Sequence, residues 1–357
     1  MAAVTEVREA KLDVRPTRLR PWLMVAALGC LAGAVLVGIF VGPVRLPVGE
    51  IVKEMVNRLP IVSVHSGLSQ LDAAILWQIR VPRVVLGGLV GATLAMAGAS
   101  YQGVFRNPLA DPYLLGVAAG AGLGATLAVA FLPGRAGWPV DPLPLAAFAG
   151  AIVAVAATYV LGRSGTRNRS TATLILAGVA VAAFFTAGQT YVQQQHADTL
   201  REVYSWILGG LSTSGWHQVA LILPYVAASG LALVLHRRLL DVMSVGDDEA
   251  EGLGIRAARI RLTVVTAATL GTAAAVAVSG LIGFVGIIVP HTVRLLAGSS
   301  YRRILPLSII FGAAFLILAD VIARSALSPA EIPIGVISAL VGAPFFMLVL
   351  RRTRRLS

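Results

Sequence analysis

The sequence has few charged residues and few groups that could carry out chemistry. Only 13% of its 357 residues are charged, whereas 57% are apolar. That is too little charge for the surface of a soluble protein of this size. The single cysteine, Cys30, excludes a disulfide within the chain and makes a thiolate metal site improbable. The composition therefore indicates that lipid surrounds most of the protein.

Catalytic and nucleotide-binding patterns are also missing from the sequence. The five histidines are scattered, and no base, nucleophile and orienting group occur together. No group of potential metal ligands recurs at ligand spacing, so we expect no metal site. No Gly-x-x-x-x-Gly-Lys-Ser/Thr phosphate loop occurs, which excludes the usual ATP site. We expect a non-catalytic chain without a cofactor of its own.

Long apolar runs are what the sequence has in abundance. A bilayer core of about 30 Å needs about 20 apolar residues per helix, with every backbone polar group satisfied internally. We predict ten spans, and hence an all-α polytopic membrane protein. They cover 22–42, 84–105, 113–133, 144–162, 173–192, 219–236, 262–279, 281–297, 304–323 and 332–350. The long run after Leu262 is divided at Ser279-Gly280, and the second part is expected to break at Pro290.

The distribution of basic residues predicts the orientation of these spans. With ten spans and both termini in the cytoplasm, most of the 29 Lys and Arg residues fall in cytoplasmic segments. We therefore predict a multi-pass membrane protein with both termini in the cytoplasm. Its parts are a cytoplasmic tail (1–21), one transmembrane domain (22–350) and a basic cytoplasmic tail (351–357). No basic stripe is interleaved with aromatic residues, so nucleic-acid binding is not expected.

Three of the predicted loops are long. Two lie outside, at about 43–80 and 193–218, and each contains an amphipathic stretch that predicts a short surface helix. The third, about 237–261, lies inside and reads HRRLLDVMSVGDDEAEGLGIRAARIR. Ser244 and Asp247 predict a helix start there, while Gly252 and Gly254 predict its end about two to three turns later. Such an acidic helix would suit a partner that pushes on the membrane domain, although a solvated loop is the simpler alternative.

Several motifs in a fixed order identify a resemblance. IRVPRVVLGGLVGATLAMAG is followed by QGVFRNPLADPYLLGVAAGAGLGA, and LILAGVAVAA, WILGGLS and VGDDEAEGLGI come later. SGLIGFVGIIVPHTVRLLAG and LADVIARSALSPAEIPIGVISALVGAPFF complete the set. In these strings the chain resembles the FecCD-type permeases, the membrane subunits of type II ABC importers for iron-siderophore complexes, haem and cobalamin.

The resemblance implies roles for two cytoplasmic segments. Residues matching the family's coupling helix, which seats in the ATPase subunit, are Ser244, Gly246, Asp247, Asp248, Glu249, Glu251, Gly252, Leu253, Gly254 and Ile255. Asn107, Leu109 and Thr171 match positions that line the cytoplasmic gate. Pro108 and Pro112 prevent a helix from continuing through the RNPLADP segment, although an ordinary inter-helix turn would need the same residues.

At the outer end, the resemblance implies that Arg80, Arg83 and Arg324 meet acidic residues of a substrate-binding protein. The alternatives are interfacial snorkelling or, for Arg324, an ion pair with Asp320 one turn earlier on the same helix. Tyr191, Gln194 and His196 make the outer end of the fifth span polar and are expected to line the pathway entrance.

By resemblance, the expected assembly is a homodimer with two ATP-binding subunits and a periplasmic or lipid-anchored binding protein. ATP and Mg would be bound by the partner ATPase. The expected cargo is a bulky metal chelate, a ferric siderophore or haem first and cobalamin second. The alternative function is an ion-coupled secondary transporter, for which Asp320 is the nearest candidate coupling carboxylate.

Overall fold

A computed structural model describes residues 21–58, 65–132, 141–163, 171–212 and 215–353 of the chain. Its helices are α1 (Pro21–Phe40), α2 (Val48–Asn57), α3 (Gln70–Ala74), α4 (Val81–Phe105), α5 (Val117–Phe131), α6 (Pro142–Arg163), α7 (Thr171–Gln195), α8 (Leu200–Ile207), α9 (Trp216–Met243), α10 (Asp247–Gly252), α11 (Ala257–Ser279), α12 (Val285–Ala297), α13 (Tyr301–Ser325) and α14 (Ile334–Thr353). A π-helical segment, Ile75–Arg80, joins α3 to α4.

Each predicted span coincides with one of these helices. Within the described ranges, seven helices are long and apolar enough to cross a membrane, and α5, α12 and α14 are shorter apolar helices. The two predicted surface helices are also present, as α2 and α8. The described residues thus form an all-helical, multi-pass membrane domain with ten apolar helices, as the apolar runs predicted.

Helix α4 is the centre of the bundle. It packs along α13, α11, α9 and α12, and 78% of its apolar span is buried, compared with 17% for α7. The small residues of α4 allow this close packing, because a Cβ on Gly98 would lie 2.1 Å from the carbonyl oxygen of Gly286 on α12. The helices at the periphery, including α7 and α9, keep wide apolar surfaces for lipid or for another subunit.

Helix α12 corrects one prediction. Pro290 lies inside α12, which continues to Ala297, and the chain breaks earlier, between Ser279 and Val285. Proline has no N–H, so the carbonyl of Gly286, four residues before it, lacks its helical donor. The side-chain amide of Gln102 on α4 donates to this oxygen at 3.2 Å. A neighbouring helix therefore supplies the missing hydrogen bond, and the helix passes the proline without breaking.

Hydrogen bonds between loops show which loops lie at the same end of the bundle. At one end, which we call the α10 end, Ser300 before α13 donates to Asp241 near the end of α9 at 2.9 Å. At the opposite end, which we call the far end, Gly210 after α8 donates to Ser279 at the end of α11 at 2.8 Å, and Ile334 at the start of α14 donates to Gly209 at 3.0 Å. These loops lie at the ends expected if the ten apolar helices cross the membrane in alternating directions.

Candidate functional site

The acidic helix α10 lies between α9 and α11, but it begins later than its sequence predicts. Ser244 does not start this helix; its N–H bonds to the carbonyl of Leu240, so it closes α9. At the other end, Gly254 has a φ of +77°, and the N–H of Ile255 reaches back to the carbonyl of Ala250 at 2.9 Å. This glycine-dependent cap stops α10 after six residues, so the helix is shorter than the expected two to three turns.

The surface of α10 has the character of a protein contact. Ala250 is fully buried and anchors the helix, while Asp248, Glu249 and Glu251 are exposed. Two large apolar side chains flank the acids, Val245 at 69% and Leu253 at 71% exposed. Apolar side chains beside charges at the water-facing end of a membrane protein favour a protein partner there.

One acidic residue of α10 points inward and connects the helix to its surroundings. The carboxylate of Asp247 lies 2.6 Å from the guanidinium of Arg261 on α11. It also lies 3.9 Å from Arg106, the residue that ends α4. Because Asn107 follows Arg106 directly, this ion pair connects the predicted coupling segment to the predicted gate segment.

The predicted gate segment is a folded turn, as its prolines indicated. Arg106 has a φ of +49° and ends α4, and the Asn107 side chain accepts the N–H of Leu109 at 2.9 Å. Leu109 is 40% exposed. The side chain of Thr171, the third predicted gate residue, lies outside the described part of the chain, although its backbone begins α7. Whether these residues form a gate stays a prediction.

The turn continues into the bundle and meets the break between α11 and α12. The phenol of Tyr113 donates to the carbonyl of Ile282 at 3.1 Å and is the acceptor for the N–H of the same residue, also at 3.1 Å. Ile282 is 2% exposed, so water cannot easily replace this partner. The Tyr113 side chain therefore joins the turn after α4, which enters from the α10 end, to the non-helical segment between α11 and α12, which enters from the far end.

The three arginines predicted to dock a binding protein are inside the protein. Arg80, Arg83 and Arg324 are 3%, 6% and 2% exposed. Arg80 donates to the carbonyl of Ile39 at 3.1 Å at the end of α1 and also to that of Val44. Arg324 donates to the carbonyl of Gly38 on α1, so α1 and the segment after it cover Arg80 and Arg324, and the structure corrects the predicted placement of all three arginines on an accessible surface.

Arg83 and Arg324 belong to a buried charge cluster at the far end. Asp320 lies between them, 2.9 Å from Arg83 and 3.2 Å from Arg324, so the same-helix ion pair considered for Arg324 is present. Arg83 also holds both carboxylate oxygens of Glu331, at 2.8 and 3.0 Å, and this hydrogen bonding lowers the pKa of Glu331. A docking role stays a prediction and would require Arg83 to exchange Glu331 for a carboxylate of the partner.

The predicted entrance residues lie at the far end of α7. Tyr191 and Gln194 are exposed, whereas the His196 ring packs edge-on against Phe131 with 4.8 Å between ring centroids. None of the three lines the large cavity found at this end. Their role in the pathway stays a prediction.

A family model covers nearly the whole of this architecture. The model of the FecCD transport family matches residues 30–352. The chain belongs to the FecCD transport family.

Individual proteins agree with this assignment. A cobalamin import system permease protein of Halobacterium salinarum is 39% identical over 321 residues, which cover 86% of this chain and 85% of the relative. A Fe(3+)-citrate import system permease protein of Bacillus subtilis is 36% identical over 285 residues, with coverage of 80% and 84%. A solved structure of a metal-chelate type ABC transporter in an inward-facing conformation matches with a TM-score of 0.80 at 28% identity, covering 93% of this chain and 100% of that one.

In this FecCD chain, sequence reasoning missed the partners of the predicted site residues. Arg106 and Arg261 hold Asp247, and Glu331 holds Arg83. Asp247 and Arg261 are 14 residues apart, whereas Arg83 and Glu331 are 248 residues apart. A single sequence carries no signal for the longer pairing, and the shorter one spans two helices.

Proposed function

We propose that this chain is the membrane-spanning permease subunit of an ATP-binding-cassette importer that moves a bulky metal chelate by alternating access. The observation that carries the proposal is the acidic helix α10, exposed at one end of the bundle and joined through Asp247 to the segment before Asn107. An external motor that pulls on α10 would act on the α4–α5 segment at the same time. Membership of the FecCD family supports the same function.

The energy source is a separate polypeptide. This chain has no phosphate loop in its sequence, so ATP and Mg are bound and hydrolysed by a partner ATPase, two copies of which seat on two permease subunits. A second copy of this chain covers the apolar surfaces that the peripheral helices leave exposed. A periplasmic or lipid-anchored binding protein delivers the cargo at the far end.

The orientation follows from the basic residues. The α10 end faces the cytoplasm and both termini lie there, in a bacterial inner membrane. This places α10 where a cytoplasmic ATPase can reach it.

The cargo class follows from the relatives. One relative is named for cobalamin and another for ferric citrate, and both compounds are bulky metal chelates. We favour an iron-bearing cargo, a ferric siderophore or haem, with cobalamin as the second candidate.

The alternative of an ion-coupled transporter loses support from the charge cluster. Asp320 is 2% exposed and compensated by both Arg83 and Arg324. A coupling carboxylate must bind and release a cation, which two fixed guanidinium groups oppose. Asp320, the nearest candidate for ion coupling in the sequence, is therefore already paired with two arginines of the protein.

Reconstitution tests the proposal. The chain is purified alone and together with a candidate partner ATPase and binding protein, and each preparation is placed in proteoliposomes. We expect no ATP hydrolysis by the chain alone and ATP-dependent uptake of a ferric chelate or cobalamin by the complete assembly. Sustained uptake driven only by an ion gradient, without ATP, would overturn the proposal.

A further inference from the structure

A cavity of about 910 Å³ opens at the far end of the bundle. Helices α6 and α9 form its sides, and α11 separates them and forms its inner wall. The rings of Phe148 on α6 and Tyr225 on α9 contact each other, with 5.3 Å between their centroids, and form part of its wall. This volume falls within the range of about 300–1,000 Å³ that is usual for small-molecule sites.

The lining of the cavity changes from charged to apolar with depth. The charged and titratable residues stand at the helix ends that form its rim, and they are Asp141, Asp198, Arg201, Glu202 and His217. The deeper wall is formed by Phe148, Ile222, Tyr225 and Ala274, while Ala277 and Val278 in the last turn of α11 continue the apolar surface up to the rim. Eight residues of α9 separate His217 from Tyr225, so the gradient extends over about 12 Å along the helix.

Beneath the cavity, towards the α10 end, α11 packs closely against α9 and α4. Below Ala274 on α11, a Cβ on Gly271 would lie only 2.5 Å from the hydroxyl of Ser229 on α9 and 2.9 Å from Thr93 on α4. The Ser229 hydroxyl donates to the carbonyl of Ala267 at 2.7 Å and fastens α9 to α11 there.

We propose that this cavity binds one zwitterionic phospholipid of the leaflet at the far end. Arg201 binds the phosphate, and Asp198, three residues before it, binds the headgroup amine. One acyl chain lies along the small side chains of Ala274, Ala277 and Val278. Trp206 of α8, which also lines the cavity, is a residue type that occupies the boundary between headgroups and hydrocarbon.

The same features argue against the other two occupants. A cargo site is expected between helices that separate during alternating access, whereas the hydroxyl of Ser229 fastens α9 to α11 beneath this cavity. A second copy of the chain would present a helix surface, which does not fill a narrow space about 12 Å deep between α6 and α9. A rim with both signs of charge above an apolar chamber matches a molecule that is zwitterionic at one end and a hydrocarbon chain at the other.

Native mass spectrometry of the full chain tests this site. The chain is released from nanodiscs that contain equal amounts of phosphatidylethanolamine and phosphatidylglycerol. We expect one retained phosphatidylethanolamine per chain, and about tenfold less retention in Arg201→Gln, as for the loss of one charge-assisted hydrogen bond. Ala277→Leu narrows the apolar part and should also reduce retention.

Two substitutions outside the cavity are the matched controls. Arg45→Gln removes an exposed arginine elsewhere, and Ala228→Leu enlarges an exposed alanine of α9. Both should retain lipid like the unaltered chain. Unchanged retention in Arg201→Gln would overturn the proposal, as would equal retention of the two lipids or no retained lipid at all. Since Arg201 is exposed, its substitution should leave folding intact, and the test stands even if Ala277→Leu fails to fold.

Discussion

The carboxylate of Asp247 on α10 lies 3.9 Å from the guanidinium of Arg106, at the start of the predicted gate segment. Both side chains are partly exposed, so the pair contributes less than about 1 kcal/mol to stability. We predict a mechanical role for the pair, because it joins α10, on which the proposed motor would act, to the predicted gate segment.

Replacing Asp247 should uncouple these two segments. We expect Asp247→Asn to lower ATP-driven uptake several-fold while the ATPase subunit stays bound, because the outward-facing acids of α10 are intact. Uptake and ATPase pull-down are measured on the same preparation. Asp248→Asn is the matched control, as it removes an exposed carboxylate from the same helix. Normal uptake by Asp247→Asn would show that the link is not needed.

The exposed acids of α10 should determine the affinity for the ATPase. Charge reversal in Asp248→Lys or Glu249→Lys should weaken association by at least about tenfold, because like charges would then face the partner groove. The affinity is measured by pull-down at several salt concentrations. Asp72→Lys, at the far end, should have no effect. An unchanged affinity in both α10 variants would place the ATPase contact elsewhere.

The loss of stability when one acid is removed from the buried charge cluster should depend on which acid it is. Asp320→Asn leaves Arg83 and Arg324 without their shared partner, which should cost about 3–5 kcal/mol. Glu331→Gln should cost much less, because Glu331 is 36% exposed and Arg83 keeps Asp320. Thermal unfolding in detergent compares the two variants. Equal destabilisation would contradict the description of Asp320 as the central acid of the cluster.

The hydroxyl of Tyr113 should stabilise the bundle, because it pairs with both backbone groups of Ile282. Tyr113→Phe removes the partner of both backbone groups of Ile282, and a buried group left unpaired costs about 1–3 kcal/mol. The midpoint of thermal unfolding should fall accordingly. Tyr204→Phe is the control, since Tyr204 is 54% exposed. Equal midpoints for the two variants would indicate that the Tyr113 hydroxyl contributes no stability.

Much of the fold could be predicted because hydropathy alone specifies it. Each apolar run became a helix, and the break after Ser279 was marked by the glycine that follows it. Pro290 misled the prediction, since the hydrogen bond that preserves α12 comes from Gln102, nearly two hundred residues earlier in the chain. A proline in the sequence identifies the carbonyl that loses its helical donor. Only the structure shows whether a residue of a neighbouring helix supplies another donor.

The candidate site was predicted less completely than the fold. The exposed acids of α10 were identified from local sequence, because a short acidic segment between basic ones is visible there. The arginines were placed on a surface because their positions at helix ends allow snorkelling. Their burial depends on the segment after α1, which covers Arg80, and on Glu331, which binds Arg83. The residues that bury these arginines are distant from them in the sequence, and hydrophobic periodicity carries no information about such contacts.

Site-specific labelling of α10 tests the central claim most directly. Cys30 is the only cysteine, so Cys30→Ser provides a background in which Glu249→Cys carries the single thiol. A membrane-impermeant maleimide is applied to right-side-out and to inverted vesicles, with Asp72→Cys in the same background as the control for the far end. We predict that Glu249→Cys is labelled only in inverted vesicles and Asp72→Cys only in right-side-out vesicles. Labelling of Glu249→Cys only in right-side-out vesicles would contradict a cytoplasmic coupling helix driven by an external ATPase.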